Sequence, residues 1–263
     1  MKLCRIQALL LRYLFVYRNP LRSLEAFFWP VMDLLVWGFV THYLESAHRT
    51  LPAGITFLIG AMIFWDILYR SQQGLTLAFL EDVWSRNVLN LFSSPLHLRE
   101  FLAATYLAGL LKTTVIAVLL TLLAYSLWGF NLWAIGTRLA PLTGNLILMG
   151  WSLGMLTTGL ILRWGQAAEA LAWAVPFFIQ PFAAVFYPLA VLPSWVRRFA
   201  WFIPATHVFE GLREVLSSGQ LSWNHLLWAS GLNAIYLLLA GVCFYRLYTS
   251  ARVRGLLTKL GTH

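Results

Sequence analysis

Charge is scarce in this sequence. Of 263 residues, 10 are acidic and 19 basic, 11% in all, where a soluble globular domain carries about a quarter. That shortage excludes an ordinary water-soluble fold. Cysteine is nearly absent too. Cys4 precedes the first long apolar run and Cys243 lies in the last, so there is neither a disulfide framework nor a zinc site. The six histidines, His42, His48, His97, His207, His225 and His263, are scattered, and none pairs at i, i+4 to grip a metal. The GxxxxGK[ST] phosphate loop, HExxH and GxSxG are all missing. The chain therefore does not hydrolyse ATP through a P-loop of its own, and no metal or cofactor is expected in it.

Apolar surface is what it has. Hydrophobic residues make up 60%, with 13 Trp, 10 Tyr and 18 Phe, and mean hydropathy is +0.71. The apolar runs are long and continuous, unlike the alternating segments of about ten residues in a membrane barrel. The expectation is an all-α integral membrane protein, a single transmembrane domain over 1–263. A span needs about 20 apolar residues. Six runs qualify: Leu24–Leu44, Ala53–Leu80, Phe101–Phe130, Leu139–Leu162, Ala168–Leu192 and His225–Tyr245. The first reads as a retained signal anchor.

The net charge of +9 fits basic cytoplasmic segments better than a nucleic-acid partner. With the N-terminus inside, twelve Lys and Arg fall in inside segments and five outside, namely Arg49, Arg138, Arg197, Arg198 and Arg213. Both termini are expected in the cytosol. In residues 1–22, Leu3, Ile6, Leu10, Tyr13, Leu14 and Tyr17 recur at helical spacing among basic residues, the pattern of an amphipathic interfacial helix. Small residues at Gly150, Gly154 and Thr158 predict a close helix crossing, within the subunit or across a dimer.

Ionisable residues inside spans are costly and mark function or internal pairing. Asp33, Asp66, Arg70 and Lys112 are such residues. Helix rise puts Asp33, Asp66 and Lys112 at similar depths. The expectation is that Asp66 and Arg70 pair along one helix, and that Asp33 or Asp66 neutralises Lys112. Pro176, Pro181, Pro188 and Pro193 crowd the fifth run and predict a bent or broken helix. Residues 193–217 follow, too interrupted for a span and too apolar for a free loop. A re-entrant hairpin of two short helices, dipping in from the outer face, fits both facts. A helix lying flat on that face is the other arrangement.

Residues 81–100, EDVWSRNVLNLFSSPLHLRE, form a polar interruption between two long runs. Together with FYPLAVLPSWVRRFAWFIPATHVFEGLREVL, this segment resembles the permease subunits of the ABC type-2 exporter family. Tyr187, Pro188, Leu192, Pro193, Trp195, Pro204, Glu210 and Arg213 stand where the family has its aromatic-Pro, Leu-Pro, Trp, Pro and closing Glu and Arg. His207 falls within the same stretch, and Glu81, Ser94 and Pro95 stand where the family has an acidic residue near the end of the second span and a Ser-Pro before the third. The chain departs at Ala183 and Ala184, where Ser-Gly is common, and at Ile203, where Asn is common.

The resemblance implies two permease copies, as a homodimer, working with separate cytosolic ABC ATPase subunits that bind ATP and Mg. The setting is a bacterial inner membrane, with lipid around the spans. The polar segment would then hold a coupling helix, with Glu81, Arg86, Asn87, Leu91, Phe92, Ser94, Pro95 and Arg99 at the docking site and Val88 and Leu89 adding to its apolar anchor. Trp65, Tyr69, Phe177, Phe178 and Tyr187 are the candidate lining of a path for an amphipathic cargo, drug-like, lipid or lipid-linked glycan. Two rival readings use Asp33, Asp66 and Lys112 instead: a membrane enzyme acting on lipids, or a proton-coupled carrier.

Overall fold

Residues 2–47 and 52–255 are described by the computed structural model, and most of them are helical. Arg49 and Lys259, used above for orientation, lie outside the described residues, as do His48 and His263. In order, the α-helices are α1 (Leu3–Phe15), α2 (Pro20–Ala47), α3 (Pro52–Trp84), α4 (Val88–Ser93), α5 (Leu98–Trp128), α6 (Leu139–Trp164), α7 (Leu171–Ile179), α8 (Ser194–Ala200), α9 (Pro204–Ser218) and α10 (Trp223–Val253).

Among the described residues, four stretches are long and apolar enough to cross a membrane: Pro20–Ser46, Leu98–Trp128, Leu132–Trp164 and Trp223–Val253. They correspond to the first, third, fourth and sixth expected runs. In place of the second stands α3, 33 residues long and so about 50 Å end to end. It packs against α2, α5, α6 and α9.

The fifth run does not form one span. α7 stops after 9 residues, about 14 Å at helical rise. The chain then turns, with Ala184 at a φ of 52°. Proline explains the break: each one removes a backbone donor and clashes with the turn before it. The two short helices expected after it are α8 and α9. α9 packs one face on the bundle. Ala205, Val208, Phe209, Leu212 and Val215 are buried against α3, α6 and α10.

The core forms two apolar clusters. One gathers Phe64, Phe130, Leu142, Phe209 and Ala229. The other gathers Ile6, Leu9, Phe79, Val88, Phe101 and Phe244, so α1, α4 and the late part of α10 share one end of the bundle. Between the clusters runs a polar layer on α3. Gln72 Nε2 donates to Thr76 Oγ1, Thr157 Oγ1 and the Ala172 carbonyl, each at 3.2 Å. Within a low-dielectric interior such bonds act as register pins between helices.

Close backbone approach brings this layer together. Cβ atoms at Gly150 and Gly154 would meet the α3 backbone at 2.7 Å (Leu68 O) and 2.8 Å (Gln72 O). The small-residue spacing therefore serves a crossing within the subunit. Gly74 and Gly109 meet Cα against Cβ position in the same way, at 2.8 Å, where α3 crosses α5.

At the far end, Glu210 receives the Leu189 N–H at 2.7 Å and Arg213 Nη1 at 2.7 Å. Arg213 lies over the Phe57 ring at 4.2 Å. This carboxylate ties the proline-rich turn around Pro188 to α9. Glu210→Ala is expected to lower bundle stability by about 1–2 kcal/mol, read as a lower midpoint in thermal unfolding in detergent. Burial lowers the pKa of His207 below the ordinary imidazole value. The ring is held by its Nε2 at 2.9 Å from the Trp201 carbonyl.

Candidate functional site

The segment 81–100 closes one end of the bundle, and its charged residues are sorted by direction. Asp82 and Glu100 are fully buried, and Glu81 is half-buried. Arg86, Asn90, Ser93, Ser94, Pro95, His97 and Arg99 are exposed. The outward face thus presents two guanidiniums and no carboxylate.

The two buried carboxylates hold α1. Asp82 is paired with Arg12, accepts the Tyr13 hydroxyl at 3.1 Å and takes Asn87 Nδ2 at 3.2 Å. Burial, with Asp82 alongside, raises the Tyr13 phenol above its ordinary pKa, so it stays a neutral donor. Glu100 accepts the Lys2 N–H at 2.7 Å, the His97 N–H at 3.0 Å and Arg5 Nη1 at 3.4 Å. The α1 face carrying Ile6, Leu9 and Tyr13 packs into the cluster around Phe79 and Phe101. α1 is therefore clamped to the end of α3 and the start of α5.

α4 sits between the two clamps. Its entry is tight, with Arg86 at a φ of 55°, and Asn87 N–H donates to the Asp82 carbonyl at 2.8 Å. Ser94 is extended before Pro95, as a residue preceding proline prefers. One expectation needs correction here. Val88 and Leu91 are buried in the permease's own core, at 0% and 5% exposure, so neither is an apolar anchor for a partner. α4 has to bury one face on its own bundle to hold its position. The side chains of Leu89 and Phe92 lie outside the described residues. Trp84 Nε1 donates to Glu169 Oε2 at 3.3 Å, which joins this surface to the turn after α6.

The intramembrane charges divide differently from the expectation. Asp66 and Arg70 do pair, Oδ2 to Nε at 2.7 Å, both buried. Lys112 does not pair with Asp33 or Asp66. Its Nζ donates to Tyr17 Oη at 2.8 Å and lies 4.9 Å from that ring's centre. Tyr17 follows α1 directly, so the connection from α1 into α2 brings a phenol to the place where a carboxylate was expected. Burial raises that phenol to about 12, so it remains protonated beside the lysine. Asp33 is exposed on α2. The trio the rival readings require is thus not assembled. Tyr17→Phe removes the acceptor from Lys112 and is expected to weaken the α1–α5 contact by about 1–2 kcal/mol, read as faster amide exchange in residues 3–18.

Of the candidate path residues, Trp65, Tyr69 and Phe177 come together, with Phe177 5.4 Å from Tyr69 and 6.3 Å from Trp65, centre to centre. Phe178 is 72% exposed and points away to Phe182. Tyr187 closes its own turn by donating to the Pro181 carbonyl. Sequence reasoning missed Asp82, Arg12, Tyr13 and Tyr17. Arg12 counted only among the inside basic residues, and Asp82 was not singled out. The usable signal was that two carboxylates in so apolar a chain need cations, and α1 holds the nearest unassigned ones.

The described residues form a helical bundle with apolar helices long enough to cross a membrane and a polar helical turn braced across one end. The family described as ABC-2 type transporter matches residues 6–217. The chain belongs to that family, as a multi-pass membrane permease subunit of an ABC transporter. No curated protein matches the chain.

Proposed function

We propose that the chain is the permease of an ATP-driven exporter in a bacterial inner membrane. It acts as a homodimer with two cytosolic ATPase subunits, and its cargo is an amphipathic molecule. The observation that supports this best is the braced α4. Asn90 and Ser93 are exposed on it, Arg86 and Arg99 are exposed on either side of it, Val88 and Leu91 are core, and both flanking carboxylates lead to α1. A push on α4 has a rigid route into α1, α3 and α5 at once.

The exposed Arg86 and Arg99 indicate the chemistry of the partner: a docking groove with an acidic rim. Interfacial charge complementarity sets docking rate and register. ATP binding would draw the two ATPase subunits together, press on both α4 segments and open a path between the permease copies.

The test is co-purification from native membranes. The tagged chain is expected to bring down an ABC ATPase in equal amount. Arg86→Glu with Arg99→Glu is expected to cut its recovery by about tenfold or more, while the permease keeps its elution volume. A chain that purifies without any ATPase, folded and stable, contradicts the reading.

A further inference from the structure

A cavity of about 380 Å³ opens beside the junction of α1 and α2, walled by α2, α3, α5 and α7. A second void of about 40 Å³ shares Tyr17, Arg70, Glu81 and Lys112 with it. Glu81 and Lys112 both line the larger cavity and do not meet. Among the described residues, no basic group lies within 4.0 Å of the Glu81 carboxylate, and no carboxylate lies that close to Lys112 Nζ. The other charges on the wall are matched. Arg70 is held by Asp66 at 2.7 Å and Arg22 faces Glu25 at 3.8 Å. Asp33 does not line the cavity.

Separated charges in a low-dielectric bundle are costly. A wall built only for stability closes such a pair on itself. Here one ammonium and one carboxylate face a shared space, and Trp29, Tyr69, Trp84 and Trp173 supply flat apolar walls. Indole faces also attract ammonium groups. The volume suits a polar head with its first carbons and is too small for a polymer, since ligand pockets run from about 300 to 1,000 Å³.

We propose that this cavity binds the zwitterionic head of an amphiphile, with the anionic group on Lys112 and the ammonium on Glu81. The inference deepens the transport reading, because it names the cargo class, but its test needs no ATPase. Binding of radiolabelled dodecylphosphocholine to the purified permease in a nonionic maltoside is competed with three unlabelled probes of equal chain length. These are dodecylphosphocholine, dodecyl phosphate and dodecyltrimethylammonium. Free phosphocholine is the fourth competitor.

The zwitterion is expected to compete best. Lys112→Gln is expected to weaken zwitterion and phosphate by about tenfold and to leave the cation unchanged. Glu81→Gln is expected to weaken zwitterion and cation and to leave the phosphate. Lys112→Arg and Glu81→Asp keep the charges and should keep the order of preference, which separates lost charge from lost fold.

Equal competition by all three chains, or a uniform loss in both glutamine variants, overturns the proposal and makes the two charges structural. Free phosphocholine competing as well as the dodecyl form overturns the amphiphile and leaves a soluble head. If no ATPase co-purifies while the selectivity pattern holds, the driving partner is what fails and the site stands.

Discussion

Asp82→Ala will loosen the Arg12–Tyr13 end of α1 from the bundle. The carboxylate is completely buried and takes three donors, from Arg12, Tyr13 and Asn87. Alanine leaves the Tyr13 hydroxyl without its acceptor in a buried place and removes the charge that holds Arg12. Arg12 is 41% exposed and recovers water, so the loss is discounted on that side. The cost is about 3 kcal/mol, and local opening of α1 should rise about a hundredfold. Amide exchange across residues 3–15 reads it directly. In the assembled transporter the same variant should keep ATPase docking, because Arg86 and Arg99 are untouched. It should lose much of its transport per ATP hydrolysed, since one of the two carboxylate links from the α4 segment into α1 is cut while Glu100 keeps the other. Wild-type exchange in α1 would show that the clamp does not hold it. Asp82→Asn is the milder variant: it keeps the shape and loses the charge.

The second large effect lies in the polar layer. Gly150→Leu places carbon atoms where the structure has the Leu68 carbonyl at 2.7 Å and the Gln72 nitrogen at 2.9 Å. Those are backbone atoms of α3 and cannot rotate away. The two helices must separate, which also stretches the bonds of Gln72 to Thr157 and Ala172. Overpacking by a methylene costs about 1–3 kcal/mol where side chains can adjust, and backbone contact puts this variant at or above the top of that range. The expected result is loss of monodisperse protein on extraction in detergent. Gly231→Leu is the control, because a Cβ there meets nothing within 4 Å, and it should behave as wild type. Equal behaviour of the two variants would mean that the α3–α6 crossing is looser than the structure has it.

Much of the fold was legible because membrane helices are dictated by long apolar runs. Proline chemistry likewise foretold that the fifth run would break, although not that the break would deny it a full span. The close crossing at Gly150 and Gly154 was readable from spacing, but its partner was not, since spacing does not name the opposing helix. The candidate site was legible only in outline. Residues 81–100 stood out by polarity, and Arg86 and Arg99 do face outward. The burial of Val88 and Leu91 was hidden, because a six-residue helix is too short to show which face its own bundle claims. Lys112 was assigned a carboxylate on charge and depth alone. Tyr17 precedes the first span and enters the lysine's surroundings only through the fold of α1 back onto α5, a tertiary fact with no local signature.

In the proposed function, this permease receives force from an ATPase through the outward face of α4. The most direct measurement is photocrosslinking in native membranes from a reactive residue placed at Asn90, which is exposed on that face. The same probe at Trp133, exposed beyond the other end of α5, serves as the control. An adduct is expected from position 90 with a protein bearing a phosphate-loop ATPase domain, and none from position 133. An adduct with lipid alone from position 90, or the same protein captured equally from both positions, would contradict it.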